Sequence, residues 1–165
     1  MQNDAKYWID RLELMPHPEG GYYKEIYRSE EIIDQKSLPE RYHGNRCFLT
    51  SIYFLLRRGE VSAFHRIKSD ETWYYHDGAE LEIVWLEKAG KINKNIVGLE
   101  VDSGASPQLT IPKNHWFAAR SLGEFTLVSC GVAPGFDFDD FELASYDELI
   151  DDYPQHEKLL KTFCI

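Results

Sequence analysis

Cysteine is scarce and unpaired in this sequence: Cys47, Cys130 and Cys164 are odd in number and show no paired spacing. That excludes a disulfide framework and a zinc knuckle, and leaves small buried hydrophobes as the expectation. No glycine-rich loop feeds a helix, so any phosphate would have to be held by side chains. Basic residues are in deficit, 18 against 28 acidic, for a net charge of -10. Such a surface repels phosphate backbones and anionic lipid, which argues against nucleic acid and membrane surfaces as partners. Long hydrophobic runs are missing too. The most apolar stretch, Cys47 to Leu56, is too short and too polar to cross a bilayer, and the opening MQNDAKYWID has no basic segment with an apolar one behind it. A cytoplasmic protein is expected. Repeats and low-complexity tracts are absent, and 165 residues suit a single domain spanning 1–165, which would bury roughly 70% of the surface its unfolded chain exposes.

The chain opens with Ala5, Trp8, Ile9 and Leu12 on one helical stripe behind Asn3 or Asp4 as cap, and Pro16 is expected to end that helix. Two glycines beside a proline make His17 to Gly21 a turn, and Tyr22 to Tyr27 reads as a strand. Residues 29–46 are polar and broken by Pro39 and Gly44, as in a lid or an interface arm. Strands then follow at short intervals: 47–57, 61–67, 71–76, 80–87, 95–101, 107–111, 115–120 and 124–133. This spacing argues for an all-β barrel or sandwich. Ser145 with Glu148 is a capping-box signature, and Pro154 suits the first turn of a last helical segment ending near Phe163. The nine carboxylates from Asp137 to Glu157 read as a solvated face, since DFDDFE lacks the alternating oxygens and glycine turn of a calcium loop. Phe136, Phe138 and Phe141 are placed to cover the mouth of the barrel.

The stretch GEVSAFHRIKSDETWYYHDG, Gly59 to Gly78, concentrates the chemistry. Alternation puts Ala63, His65 and Ile67 on one strand face and Glu71, Trp73 and Tyr75 on a face of the next. A Lys68-Ser69-Asp70 turn would join the two as an antiparallel hairpin and gather His65, Glu71, Trp73 and Tyr75 on one concave surface. Tyr53, Trp73, Tyr75 and Trp116 supply aromatic walls suited to a sugar ring or a nucleobase, with Gln108 or Asn114 for hydrogen bonds. Arg28, Arg46 and Arg120 are the candidate cations, of which a nucleotide-sugar diphosphate needs at least one at the pocket mouth. Glu71 reads equally as a partner to His65, to a backbone amide or to Arg28.

The spacing Gly59-x5-His65-x-Ile67-x3-Glu71-x6-Gly78 resembles the first motif of the cupin superfamily, with Ile67 where that motif has its second histidine. Pro112-Lys113-Asn114-His115-Trp116-Phe117 resembles the second, with Asn114 in place of glycine and Phe117 in place of histidine. The segments HPEGGYY from His17, Tyr27-Arg28-Ser29, SIYFLL from Ser51, Phe64-His65, DETW from Asp70 and APGFDF from Ala133 are similar to a branch called cupin 5, often described as sugar epimerase-like. The resemblance covers nearly the whole chain. It implies a double-stranded β-helix, or jelly-roll barrel, with short N- and C-terminal helices, and a cupin homodimer paired through sheet edges, the strand Tyr22 to Tyr27 contributing.

The resemblance also frames the chemistry. Two of the four metal positions of the family are apolar here, so no metal and no other cofactor is expected. His65 stands at the site position and is the candidate general base, oriented by Glu71, with Tyr75 or Tyr53 as the acid on the opposite side. The implied substrate is a sugar or nucleotide-sugar, bound by Tyr53, Trp73, Gln108, Trp116 and Arg28. Metal-free sugar-epimerase cupins also use a pocket lysine, which neither motif strand supplies; an arginine would have to stand in. A non-catalytic metabolite-binding cupin is the alternative reading, and a metal-dependent oxygenase a third.

Overall fold

A computed structural model describes residues 3–87 and 90–164. In chain order the elements are α1 (Ala5–Leu12), β1 (Met15–Pro16), β2 (Tyr22–Arg28), β3 (Ile32–Ile33), β4 (Arg46–Cys47), β5 (Thr50–Arg57), β6 (Val61–Arg66) and β7 (Asp70–Gly78). They continue with β8 (Leu81–Leu86), β9 (Ile92–Val97), β10 (Gln108–Ile111), β11 (Phe117–Ser121), β12 (Phe125–Ala133), β13 (Glu142–Leu143), α2 (Tyr146–Asp152) and α3 (Glu157–Phe163). A six-stranded sheet in the order β1-β2-β5-β12-β7-β10 faces a five-stranded sheet in the order β13-β6-β11-β8-β9, and β3 pairs with β4. Phe54, Trp73, Ile83, Phe117 and Val128 fill the space between the two large sheets. The alternation of these strands is that of a jelly roll, as expected.

The helices close the outer faces. Asp4 caps α1 by accepting from the Tyr7 amide at 2.7 Å. That helix ends before Pro16, at Glu13, whose left-handed backbone stops it. Its Trp8, Ile9 and Leu12 pack on Leu55, Phe125 and Leu127 of the six-stranded sheet. On the other side Leu149, Leu160 and Phe163 from α2 and α3 bury against Phe64, Val84 and Ala118, each contributing roughly 1.5–3 kcal/mol by area. The Ser145–Glu148 capping box is formed.

The expected hairpin is not formed. Strands β6 and β7 lie in opposite sheets: β6 pairs with β11 and β13, and β7 with β12 and β10. The linker cannot act as a tight turn because its polar groups are engaged elsewhere. The Asn114 amide donates to Ile67 O at 2.8 Å, Tyr42 Oη to Lys68 O at 3.1 Å, and Ser69 Oγ to Pro134 O at 2.8 Å. The chain therefore crosses the barrel, and His65 and Glu71 face one another from two walls. The strand expected at 95–101 lies at Ile92–Val97 instead, and Val101–Ser103 is a 3-10 turn closed by Gly104. Residues 29–46 are tied down: Arg46 holds Asp140 through two bonds of 2.7 and 2.6 Å, and buried Tyr42 meets Ser69 Oγ at 2.8 Å.

Candidate functional site

Between the sheets lies a cavity of about 280 Å³, and the segment that shapes it most comes from outside the barrel strands. After β1 the chain turns at Gly20 and Gly21, both with positive φ (108° and 70°). A Cβ at Gly20 would sit 2.1 Å from Val61 O, and one at Gly21 2.7 Å from Leu56 Cδ2, so only glycine permits this approach. The loop is bolted to β6 by the Ala63 amide, which donates to Glu19 O at 2.8 Å. The result pushes Glu19 into the interior, where it is 5% exposed. Ser62 Oγ donates to its Oε1 at 2.7 Å, and its Oε2 lies 3.2 Å from His65 Nε2 and 3.4 Å from His17 Nδ1.

These contacts count the protons. His65 Nδ1 sits 2.7 Å from Ala63 O, a group that only accepts, so Nδ1 carries a hydrogen. Neutral His65 then turns its Nε2 lone pair toward a carboxyl oxygen, and two lone pairs at 3.2 Å require one proton between them. His17 Nδ1 accepts from the Glu19 amide at 3.3 Å, so it too presents a lone pair. Burial raises the Glu19 carboxyl and depresses the imidazoles of His65 and His17. Both shifts favour the neutral forms, a protonated Glu19 carboxyl beside a neutral His65 imidazole. The ring of Phe117, 4.0 Å away between centroids, walls His65 from water.

Glu71 occupies the opposite wall, on β7. Burial, the largest cause, pushes its carboxyl up to about 7. Arg28, one partner considered for it, bonds instead to both oxygens of Glu25 at 3.0 and 2.7 Å and to Phe136 O at 3.2 Å. Beside Glu71 stand the buried Cys130 thiol, itself pushed up by burial and then by Glu71, and the indole of Trp73. Trp73 is fixed by edge contacts with Phe54 and Phe117 at 5.5 and 6.2 Å. Phe136, Phe138 and Phe141 pack on one another at 5.0–6.3 Å over the mouth.

Of the residues singled out by sequence, His65, Glu71, Trp73 and Arg28 line this one cavity. Tyr75, Tyr53, Gln108 and Trp116 do not. Tyr75 points inward but lies toward the other end of β7, where its hydroxyl donates to Gly78 O at 2.5 Å. Tyr53 packs outside the barrel with α1 and against His76 at 5.9 Å. Trp116 precedes β11, joins the cluster under α2 and α3, and carries Arg66 at 4.3 Å. Gln108 is exposed on β10. Arg46 is spent on Asp140, and Arg120 on Glu82 at 2.9 Å.

Glu19 and His17 were not legible as site residues. The signal for them was a pair of glycines directly after a carboxylate, which reads equally as a surface turn. The donor set does not fit a divalent metal ion. Among the described residues no group of three or more His, Cys, Asp or Glu side chains is arranged to hold a metal ion, and Ile67 and Phe117, both buried and apolar, stand where the resembled motifs have histidines.

Comparison with known proteins agrees with this fold. Residues 6–144 match the family described as Cupin superfamily (DUF985). The crystal structure of a Shewanella oneidensis protein is similar with a TM-score of 0.90 and 41% identity, covering 99% of both chains. A hypothetical protein from Leishmania major superposes with a TM-score of 0.89 at 37% identity, covering 98% of this chain and 99% of that one. An uncharacterised Saccharomyces cerevisiae protein is 29% identical over 153 residues, 86% of this chain and 76% of its own. Bacillus subtilis oxalate decarboxylase, at 13% identity and a TM-score of 0.54 over 90% of this chain and 36% of that one, shares the fold alone.

Proposed function

This chain belongs to the DUF985 family of the cupin superfamily, and we propose that it is an acid–base catalyst of the epimerase or isomerase type acting on a small polar metabolite. The observation that carries this reading is the placement of two proton-handling groups on opposite walls of one cavity: Glu71 on β7, and the pair made by His65 on β6 with Glu19 from the loop after β1. A carboxyl at about 7 is half ionised at neutral pH, near the optimum for a general base. The opposite pair holds one proton to give.

In this reaction Glu71 carboxylate takes a proton from a carbon beside a carbonyl. The C–H electron pair becomes the C=C bond of an enolate, and the carbonyl π pair moves to oxygen. The Glu19–His65 pair returns its proton to the opposite face of the same carbon, and the C=O bond re-forms. Glu71 ends protonated and the pair deprotonated, and solvent resets both. The structure thus supports a different base from the one expected by sequence, because Nε2 of His65 is occupied by Glu19.

The reading is tested by incubating small carbonyl compounds with the protein in heavy water. The wild type is expected to place deuterium beside the carbonyl, and Glu71→Gln to lose at least ~100-fold of that rate, as for other general bases. A wild type that exchanges no carbonyl compound would refute it. One observation favours the second reading, a non-catalytic metabolite-binding cupin: among the described residues the one arginine lining the cavity, Arg28, is already engaged by Glu25 and the Phe136 carbonyl, so none of them offers a free cation to an enolate.

A further inference from the structure

We propose that His17 recognises the ligand, its Nε2–H donating to the carbonyl oxygen of a small hydroxyketone or hydroxyaldehyde. This rests on the acid–base reading of the cavity and adds the group that reading still needs, a donor to hold the enolate oxygen.

The side chain of His17 lines the cavity and is only 7% exposed. Its tautomer is set by the loop that carries it. The Glu19 amide donates to Nδ1 at 3.3 Å, so Nδ1 holds a lone pair, and in a neutral imidazole the hydrogen then sits on Nε2. Burial favours that neutral form. Nε2 meets no acceptor among the described residues, yet it is not sealed: the side-chain nitrogens and oxygens that are fully enclosed without a partner belong to Trp73, Glu80, Glu82 and Arg120. Donors this deep in a protein nearly always find an acceptor, and the space beside this one is the cavity. Four rings hold the imidazole in place, Tyr23, Phe54 and Phe141 edge-on at 4.6, 5.9 and 6.1 Å and Phe138 stacked at 6.3 Å.

The chemistry of the cavity gives this donor a use. Its volume of about 280 Å³ falls just under the ~300–1,000 Å³ usual for drug-sized ligands, so a single small molecule can touch both Glu71 and His17. When Glu71 takes the proton, the C–H pair becomes the C=C bond and the carbonyl π pair moves to oxygen. A fixed N–H aimed at that oxygen binds it more strongly as its charge grows. His17 keeps its hydrogen throughout and transfers nothing. Arg28 does not serve here, being bonded to Glu25 and to Phe136 O.

Two substitutions separate the ring's two nitrogens. Asparagine places its Oδ1 near the position of Nδ1, where it still accepts from the Glu19 amide, but offers nothing at Nε2; glutamine places its amide nitrogen near the position of Nε2 and keeps that donor. His17→Asn is expected to weaken hydroxyacetone binding by about 3- to 10-fold, the effect of one neutral hydrogen bond. It should slow deuterium uptake by at least ~100-fold, as for other donors to a developing oxyanion. His17→Gln should retain most of both. Wild-type behaviour of His17→Asn overturns the proposal, and so does a loss in His17→Gln as large as that in His17→Asn, since the ring would then serve only to hold the loop. A second measurement needs no variant to fold. In 15N-labelled wild type, the Nε2–H proton of His17, assigned through its own backbone, should move downfield with hydroxyacetone and dihydroxyacetone and stay in place with propane-1,2-diol, which has no carbonyl. A proton that stays still with both ketones, or moves equally with the diol, overturns the proposal. Uptake that is unchanged in His17→Asn removes His17 and leaves the acid–base reading intact, whereas a His17 response in a wild type that takes up no deuterium supports recognition by His17 and removes catalysis.

Discussion

Oε2 of Glu19 and Nε2 of His65 meet at 3.2 Å inside the barrel, with the other nitrogen of His65 committed to Ala63 O. One proton serves both groups. Removing the titratable proton while keeping the contact should therefore separate catalysis from folding. Glu19→Gln retains a donor toward Nε2 and is expected to fold with near-wild-type stability while losing at least ~100-fold in proton transfer to substrate. Denaturation curves and deuterium exchange on the same variant check this, and full activity in Glu19→Gln would remove the pair from the reaction.

The buried carboxyl of Glu71 should also be visible in stability. Its value is raised from 4.5 to about 7, so between those pH values the folded protein holds a proton that the unfolded chain has released. That contribution is complete below the unfolded value and lost as pH rises through about 7. His17 and His65 are depressed by burial and act oppositely, their contribution present above 6.5 and lost as pH falls. Glu71→Gln isolates the carboxyl: relative to wild type it should gain up to roughly 3 kcal/mol between pH ~4 and pH ~8. Urea denaturation at both pH values measures the difference, and a pH-independent difference would contradict the assignment.

Gly20 holds the loop that delivers Glu19. Alanine there combines a left-handed backbone with a Cβ 2.1 Å from Val61 O, so Gly20→Ala should cost at least ~2 kcal/mol. It should impair proton transfer beyond what the lost stability explains, since Glu19 must move. Thermal denaturation and exchange rates together test this; a stable and fully active Gly20→Ala would show that the loop tolerates the change.

Much of this architecture was legible because the residues that specify it act locally. Asp4 and Ser145 cap their helices, alternation marks the long strands, and the three phenylalanines after Pro134 sit over the mouth as their pattern suggested. Sheet partition was not legible. A three-residue linker between two alternating strands looks the same whether it turns back or crosses a barrel, and the deciding bonds come from Tyr42, Asn114 and Pro134, distant in sequence. The same limit explains Tyr75, which has the right parity but stands at the wrong depth. It explains Glu19 as well, since Gly-Gly turn chemistry does not reveal which way the loop folds.

The second half of β2 bears on assembly. Strand β1 covers its edge only at Tyr22 and Tyr23, leaving 24–28 unpaired on that side among the described residues, with Ile26 and Tyr27 exposed. Such an edge invites a second strand. We expect a homodimer through this edge, split by Ile26→Lys. A monomer mass for the wild type in light scattering at micromolar concentration would contradict it.

The central claim is that Glu71 moves the substrate proton. The pH dependence of deuterium uptake from heavy water into an uncharged hydroxyketone tests it most directly. Uptake by the wild type should rise with pH as the carboxyl ionises near 7, and Glu71→Gln should abolish both the uptake and the rise. Exchange at the wild-type rate in Glu71→Gln, with the same pH profile, would contradict the account.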